Sequence, residues 1–428
     1  MMASRFRTQR RHCLKWLSAA ALASWLVAPT MASAQTEIVY WDFIKPGDGS
    51  PRGDALARNV EAFQKKYPEI KVKVEVIPPP MIDPNLIQGA AANKTADVLR
   101  IDIKYLAKHA QAGSIQPLDK FAGAIDKSDW LLPWDATAID GKKYGMPYEH
   151  RFFALLYRKD ILDKAGVTVP MTWDEVCAGA GKINATSVMG YGFGLAQSDN
   201  ANALLEWVEN MIPTGGGKIF DDKGKAVFDD ASGKKFFQLI ADLTGKCKAS
   251  SKAVAEFNYN SLTEGLTSGT VAMANLGTHR YLAIRAAGAK DNLAWAPPPS
   301  FEPGKPAPVN VTGWNLVMGK AAKNPEAAWK FIEFMTSAEA QLNLAKGGEL
   351  PSRKSTYADP WFKTPESQFM LGWSDYIAKN GRVGTYPAGW SSFGQILAEA
   401  TQSIVLQGAT PEKALIQAVT TYNKSLGN

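Results

Sequence analysis

Apolar residues recur with two different periods in the first part of the chain. The stretch EIVYWD at 37–42 is a short β-prone run, and IKVKVEVI at 70–77 alternates apolar and charged side chains with a period of two. Between them, apolar residues share one face of a helix that Pro68 ends: Leu56, Val60, Phe63 and Tyr67. Strand, helix and strand in this order form the unit of a parallel sheet covered by helices.

The same alternation continues along the chain. ADVLRID at 96–102 predicts another strand, and a helix is expected to follow it and to end near Gly113. Later helices begin with clear start signals, which are a capping box at Thr172 and Glu175 and an Asn or Thr before Pro325 and Pro411. The pattern therefore predicts an α/β fold.

One predicted strand has an unusual start. MPYEHRFFALLYRKD at 146–160 is apolar from Phe152 to Tyr157, but three ionisable residues, Glu149, His150 and Arg151, come directly before. Charge beside a buried strand is costly unless it has a partner. The stretch therefore indicates a place where charged side chains meet something other than the core.

The first 34 residues have the composition of an export signal. A basic stretch is followed by an apolar run from Leu17 to Val27 and by the small-residue site Ala32-Ser33-Ala34. This order predicts a secretory signal peptide over 1–34, with the mature chain starting at Gln35. Arg10-Arg11 leaves twin-arginine export open as the alternative to the general secretory route. A membrane anchor is disfavoured because the apolar run is too short.

The charge of the chain changes once the signal is set aside. The whole chain has 48 basic and 41 acidic residues and a net charge of +7, but the signal holds five of the basic residues and no acid, which leaves +2. A nearly neutral mature chain of this length fits two domains and argues against a nucleic-acid partner.

Cysteine usage is sparse. Cys13 lies in the signal, so that Cys177 and Cys247 remain as an even pair in an oxidising compartment. A disulfide is expected, and two separate buried thiols are the alternative. With three histidines and two cysteines in the mature chain, we expect no metal site and no cofactor.

Familiar catalytic motifs are missing from the sequence: it has no H-E-x-x-H, no G-x-S-x-G and no complete phosphate loop. Aromatic and charged residues instead follow predicted strands, where open α/β sheets bind ligands. These candidates are Trp41, Asp42 and Lys45 after the first strand and Arg100 and Asp102 in LRID. Trp faces suit sugar rings, and charged side chains suit hydroxyls; singly, each could equally be a core residue or a helix cap.

Six segments in order resemble one known family. They are ADVLRIDIKYLAKHAQAGSIQPLD, GKKYGMPYEHRFFALLYRKDILDKAGVTVPMTWDEV, EGLTSGTVAMANLG, GWNLVMGKAAKNPEAAWKFIEFMTS, GGELPSRKS and IVLQGATPEKALIQAV. In their order and spacing the chain resembles the periplasmic solute-binding proteins of ABC importers, in particular the maltose-binding-protein-like, carbohydrate-binding group.

The resemblance implies a two-lobed fold in which each lobe is a central β-sheet flanked by helices, with the ligand in the cleft between them. Carried over, lobe 1 takes 35–147 and 308–349, and lobe 2 takes 153–300 and 354–428. The hinge segments fall near 148–152, 301–307 and 350–353. Glu149, His150 and Arg151 would then face the ligand.

The resemblance also adds site residues to those at the strand ends. It places Tyr148, Glu149 and Arg151 on the first hinge, His279 after ANLG, Trp314 in TGWN, Arg353 in ELPSR and Trp390 near the C-terminus. His279 replaces a stacking Trp, and Arg151 a hinge carboxylate, of the maltose-binding pattern. Together with Arg353 they leave an anionic ligand open.

The predicted function is capture of a carbohydrate, such as a sugar, oligosaccharide, polyol or glycoside, and its delivery to the permease subunits of an ABC importer. The protein is expected to be a periplasmic monomer that catalyses no reaction. Two alternatives stay open: a binding protein for a glycerol phosphodiester or uronate, and a secreted glycoside hydrolase.

Overall fold

A computed structural model describes residues 35–184, 187–387 and 389–426; the predicted signal peptide lies outside the described residues. Its strands, in chain order, are β1 Thr36–Asp42, β2 Ile70–Val76, β3 Val98–Asp102, β4 Ile115–Gln116, β5 Ala138–Ile139, β6 Lys142–Lys143, β7 Met146–Arg151, β8 Phe153–Arg158, β9 Met189–Gly192, β10 Val271–Gly277, β11 Leu293–Ala296, β12 Val309–Asn310, β13 Thr312–Gly319 and β14 Gly381–Arg382.

The α-helices of the same ranges are α1 Pro51–Lys66, α2 Pro79–Ala91, α3 Ile103–Gln111, α4 Asp119–Ala122, α5 Lys159–Ala165, α6 Trp173–Asn184, α7 Asn202–Thr214, α8 Ala231–Thr244, α9 Tyr259–Ser268, α10 His279–Ile284, α11 Pro325–Met335, α12 Ala338–Lys346, α13 Phe369–Asn380, α14 Trp390–Gln407 and α15 Pro411–Ser425. Short 3-10 turns, one π turn and loops connect these elements.

Local signals in the sequence account for these elements. The predicted strand, helix and strand at 36–76 are β1, α1 and β2, and β1 pairs in parallel with both β2 and β3. At α6 the Glu175 amide donates to Thr172 Oγ1 while Glu175 Oε2 accepts from the Thr172 amide, which is the predicted capping box. The α/β fold is confirmed.

Two sheets divide the structure into two lobes. In lobe 1 the strand order is β2-β1-β3-β13-β4, with β7 also paired to β13, and in lobe 2 the order is β11-β8-β10-β9. Apolar clusters cover both faces of the lobe 1 sheet, and one large cluster fills lobe 2. Each lobe therefore has its own core.

The charged stretch at 149–151 lies where the chain passes between the sheets. It ends β7 in lobe 1, and Phe152 alone separates it from β8 in lobe 2. A second passage runs the other way through Val311, between β12 and β13. A third connecting segment contains Leu350. Its carbonyl accepts a hydrogen bond from the His150 amide at 2.8 Å, which ties two of the connecting segments together beside the cleft.

Lobe 2 contains a disulfide between Cys177 on α6 and Cys247, which follows α8. The two Cα atoms lie 5.0 Å apart and the cysteines are 70 positions apart in sequence. The bridge therefore closes a long loop over the lobe 2 core.

Replacing both cysteines with alanine should lower the free energy of unfolding by about 4 kcal/mol, because a long cross-linked loop restricts the unfolded chain. Urea unfolding of the oxidised protein and of the Cys177→Ala, Cys247→Ala variant measures this. Equal unfolding midpoints for the two proteins would contradict it.

Candidate functional site

The carboxyl ends of the lobe 1 strands bring charged side chains to the edge that faces lobe 2. Asp42 ends β1, Arg100 and Asp102 lie on β3, and Glu149 and Arg151 lie on β7. Strand β13 runs between β3 and β7, and its Trp314 pairs with Asp102 on one side and with Glu149 on the other. The sheet register therefore assembles one group from residues more than 200 positions apart.

A glycine makes this approach possible. Gly313 has φ = +151°, and a Cβ at this position would lie 2.0 Å from the Glu149 carbonyl oxygen. A side chain there would force β13 away from β7, so Gly313 sets the position of Trp314 over the cleft.

The first group of charges, here called the arginine cluster, consists of Asp42, Arg52, Arg100, Glu149 and Glu349. The Arg100 guanidinium lies 3.3 Å from Asp42 Oδ1, 3.6 Å from Glu149 Oε1 and 3.7 Å from Glu349 Oε1. Arg52 pairs with the same oxygen of Glu349. Only Arg52 has appreciable exposure, so these charges interact through protein with little screening by water.

Aromatic rings surround the Arg100 guanidinium. Its central carbon lies 4.4 Å from the Phe43 ring centroid, 5.0 Å from that of Tyr148 and 5.6 Å from that of Trp314. Phe43 and Trp314 also contact each other, with centroids 4.4 Å apart. The half-buried Trp314 ring is thus held against a cation and a second ring, with its position fixed before any ligand arrives.

The second group, here called the lysine cluster, consists of Asp102, Lys104, Arg151, Glu206 and Glu209. Arg151 Nη2 donates to Asp102 Oδ2 at 3.2 Å. Lys104 Nζ, from α3 of lobe 1, lies 3.6 Å from Glu206 Oε1 and 3.8 Å from Glu209 Oε1, both on α7 of lobe 2. These two ion pairs cross the cleft and hold the lobes against each other.

Burial shifts the proton affinities of the acids in both clusters. Burial, and then the charge of Glu349, raises the pKa of Glu149 to about 7. Burial raises the pKa of Glu209 to about 7 despite Lys104. Burial would also raise the pKa of Glu349, but Arg52 and Arg100 outweigh it and hold that pKa below its usual value. Burial holds the pKa of His279 well below its usual value, so that its ring is neutral.

Many buried polar atoms around the two clusters have no hydrogen-bond partner among the described residues. The donors among them are Arg100 Nε, Arg151 Nε, Arg280 Nε and Arg382 Nε. The acceptors are Glu149 Oε2, Glu209 Oε1 and Asn310 Oδ1. The Tyr148 hydroxyl and His279 Nδ1 can either donate or accept. Buried polar atoms are normally paired. Their concentration between the lobes indicates a site for a polar molecule.

A cavity of about 300 Å³ in lobe 2 adjoins the lysine cluster. It is lined by Glu209, Asn310 and Arg382 and by the aromatic rings of Phe220, Tyr386 and Trp390, among others. Asn310 Nδ2 donates to Glu209 Oε2 at 2.6 Å and to the Tyr386 hydroxyl at 2.7 Å. The unpartnered Asn310 Oδ1 and Arg382 Nε therefore belong to residues that line space large enough for a small ligand.

The structure brings most of the predicted site residues together. Seven of them form or contact the two clusters: Asp42, Arg100, Asp102, Tyr148, Glu149, Arg151 and Trp314. His279 packs against Tyr259 with ring centroids 5.6 Å apart, and the Tyr259 hydroxyl hydrogen-bonds Glu206 of the lysine cluster. Trp390 is buried at the start of α14 and lines the lobe 2 cavity.

Three predicted residues lie elsewhere. Alternation along β1 puts Trp41 on the face opposite Tyr40 and Asp42, in an apolar cluster, with its Nε1 bonded to Glu75. Lys45 is exposed in the loop after β1. Arg353 donates to the Thr336 carbonyl and to Asp129 and stacks on Trp130, so its guanidinium is held within lobe 1.

Sequence reasoning missed Arg52, Lys104, Glu206, Glu209, Asn310, Glu349, Arg382 and Tyr386. A signal existed for two of them: LLEWVENMI at 204–212 is an apolar helix with two carboxylates, and the structure buries the whole stretch. Acids inside an apolar helix need partners, and Lys104 is that partner. Nothing in the sequence around Arg52 or Glu349 marks them as neighbours.

The comparisons with known proteins agree with this architecture. The profile of the family described as bacterial extracellular solute-binding protein matches residues 47–342, which is more than half of the chain. The chain belongs to the bacterial extracellular solute-binding proteins.

This solute-binding protein has relatives at low sequence identity and a similar fold in at least one solved structure. It is 29% identical over 310 residues to a probable ABC transporter-binding protein of Deinococcus radiodurans, covering 68% of this chain and 71% of the relative. It is 23% identical over 320 residues to the arabinooligosaccharide-binding protein of Bacillus subtilis, covering 72% and 70%. The GacH receptor of Streptomyces glaucescens superposes with a TM-score of 0.78 at 25% identity, covering 92% and 99% of the two chains.

Two observations apply to the described residues, 35–184, 187–387 and 389–426. None of the described helices combines the length and the apolar character that crossing a bilayer requires. No group of His, Cys, Asp or Glu side chains in those ranges is arranged to hold a metal ion.

Replacing Arg100 of the solute-binding protein with alanine should lower the free energy of unfolding by about 3–5 kcal/mol, because three buried carboxylates would lose their shared cation. Lys330→Ala, which removes an exposed pair with Glu69, is the control and should cost less than about 1 kcal/mol. Urea unfolding at neutral pH measures both. Similar losses for the two variants would show that Arg100 is not essential to the cluster.

Proposed function

We propose that the protein captures a carbohydrate between its lobes and delivers it to the permease subunits of an ABC importer, without changing it chemically. The observation that carries this proposal is the set of unpartnered buried donors and acceptors between the lobes. Each sugar hydroxyl both donates and accepts a hydrogen bond, so a carbohydrate can satisfy guanidinium nitrogens and carboxylate or amide oxygens in one binding event.

Aromatic rings beside these atoms support the same ligand class. Trp314 is half-buried at the arginine cluster, and Tyr386 and Trp390 line the lobe 2 cavity. An aromatic face packs well against the C–H face of a sugar ring, while the polar groups around it contact the hydroxyls. The names of two relatives agree with this class: one binds arabinooligosaccharides, and the GacH receptor is described in complex with acarbose.

An anionic ligand has less support than the sequence indicated. That alternative depended on Arg151, His279 and Arg353. Arg151 is paired with Asp102, and Arg353 is paired with Asp129 of lobe 1. Burial keeps His279 uncharged. Of these three groups, the two arginines are paired with carboxylates and the histidine is neutral, so a uronate or phosphodiester would have to displace a carboxylate to bind either arginine.

A glycoside hydrolase needs a protonated acid and a second carboxylate on either side of the bond that it cleaves. Glu149 and Glu349 are one acid with a raised pKa and one with a lowered pKa. However, both lie within 3.7 Å of the same guanidinium nitrogen of Arg100. Both carboxylates already contact this buried cation, so the geometry favours binding over hydrolysis.

The ligand would be captured by closure of the two lobes around it. A ligand that contacts lobe 1 through Trp314 and lobe 2 through Asn310 and Arg382 has more contacts when the lobes are together, and this difference in affinity favours the closed state. The closed monomer would then dock on the permease outside the inner membrane. Export by the predicted signal peptide and a mature start at Gln35 complete the proposal.

A thermal-shift screen tests the ligand class. Neutral sugars, oligosaccharides and polyols should include at least one compound that stabilises the protein, by about 2.7 kcal/mol at 100 times its dissociation constant, and the matching uronates and sugar phosphates should not stabilise it further. Stabilisation by anions alone would contradict the proposal.

Trp314→Ala should weaken binding of the compound found in the screen by at least about 1 kcal/mol, roughly fivefold, because a fixed aromatic contact is lost. Trp361→Ala is the matched control, since Trp361 is also half-buried but packs on Phe362 away from both clusters. Calorimetric titration measures both. Unchanged affinity in Trp314→Ala, with urea unfolding showing an intact fold, would place the ligand elsewhere.

A further inference from the structure

The arginine cluster and its neighbours contain one carboxylate more than they contain cations. Arg52, Arg100 and Arg151 face four carboxylates, which are Asp42, Asp102, Glu149 and Glu349. Lys104 does not correct the difference, because Glu206 and Glu209 already share it. With every group ionised, these seven ion-paired groups would carry one net negative charge, and burying such a charge is costly.

Two of the carboxylates lie on different connecting segments between the lobes. Glu149 is in β7, just before the chain enters lobe 2, and Glu349 follows α12. The His150 amide to Leu350 carbonyl hydrogen bond holds the two segments side by side. Glu149 is 1% exposed and Glu349 is 3% exposed, so water does not separate them in this arrangement.

The groups facing Glu149 come from every element around it. Arg100 approaches from β3, Arg52 from α1, Glu349 from the segment after α12, and Arg151 and Tyr148 from its own strand. On β1, Asp42 pairs with Arg100 and accepts a hydrogen bond from the Tyr40 hydroxyl. Glu149 Oε2 has no hydrogen-bond partner among the described residues, so one carboxylate oxygen of the pair is free to carry a proton.

Lobe 2 closes over this pair. A Cβ built on Gly348, next to Glu349, would lie 3.0 Å from Leu282 Cδ1 of α10. His279, at the start of the same helix, lies close enough to Arg52 for the two to interact electrostatically. These contacts between α10 of lobe 2 and the segment around Glu349 exist only while the lobes are together.

We propose that the Glu149–Glu349 pair takes up a proton from solvent when the lobes close, so that closure of the lobes depends on pH. The proton adds to one carboxylate oxygen and removes the excess negative charge. In the open state, water solvates both carboxylates and the proton is released. No other reactant is required.

The direction of the pH effect follows from linkage. Burial raises the pKa of Glu149 to about 7 in the closed arrangement, whereas a solvated glutamate has a pKa of about 4.3. Between these values closure binds one proton, so the ratio of closed to open protein falls by about tenfold for each pH unit gained. Above about pH 7 both states are ionised and the ratio levels off.

Electron spin resonance on the ligand-free protein tests this without knowledge of the ligand. Spin labels on Lys120→Cys in lobe 1 and Glu412→Cys in lobe 2, both at exposed positions, report the interlobe distance. Between pH 5 and 6 the logarithm of the closed-to-open ratio should fall by about one for each pH unit, and the fall should become smaller as the pH approaches 7. Glu209, whose pKa burial also raises to about 7, can add to this slope.

Glu149→Gln and Glu349→Gln should each reduce the slope by about one, because each leaves three carboxylates facing three arginines, so that closure no longer needs a proton. Two variants are used so that a folding defect in one does not decide the outcome, and Glu75→Gln, outside the cluster, should keep the native slope. The proposal would be overturned if the closed-to-open ratio of the native protein did not change with pH. It would also be overturned if Glu149→Gln and Glu349→Gln both kept the slope of the native protein.

Discussion

The buried guanidinium of Arg100 is the interaction on which the cleft depends. It lies within 3.7 Å of carboxylate oxygens from three separate parts of the chain, at the end of β1, in β7 and after α12. Without this cation, Asp42, Glu149 and Glu349 would repel one another in a region with little water. Arg100 also fixes the rings of Phe43, Tyr148 and Trp314 around its faces, so one side chain holds both the charged and the aromatic parts of the lobe 1 wall.

The polar atoms that the ion pairs leave without hydrogen bonds explain why the cleft suits a ligand with hydroxyl groups. The ion pairs use some atoms of each charged group and leave others, such as Arg151 Nε, Glu149 Oε2 and Glu209 Oε1, without a hydrogen bond. These leftover donors and acceptors lie between the lobes, and the lobe 2 cavity beside them has aromatic walls. A molecule that both donates and accepts along its whole edge can satisfy them together, and a purely apolar or singly charged molecule cannot.

The sequence predicted the fold better than the site, for a physical reason. Alternation and capping are local, so β2, α6 and α11 could be located from neighbouring residues. The alternation along β1 is also a local signal, since its period of two puts Trp41 and Asp42 on opposite faces. Which of these faces meets the cleft depends on how the sheet packs, and this is not local. The sequence therefore favours Trp41 for the cleft, whereas the structure buries it in an apolar cluster.

The remaining site residues could not be found in this way. Lys104 meets Glu206 and Glu209 across about a hundred intervening residues, and Arg52 meets Glu349 across nearly three hundred. Such pairs depend on how two lobes fold against each other, and no short stretch of sequence encodes that arrangement. The hinge stretch MPYEHRF was the exception, because its charges stand directly beside an apolar strand.

A crystal structure of the protein with a stabilising carbohydrate tests the central claim most directly. Our account predicts a sugar between the lobes, one ring against Trp314 or Trp390, and hydroxyls within about 3.2 Å of Glu149 Oε2, Asn310 Oδ1 or Arg382 Nε. A sugar bound outside the cleft, or inside it with all three atoms still without partners, would contradict the account.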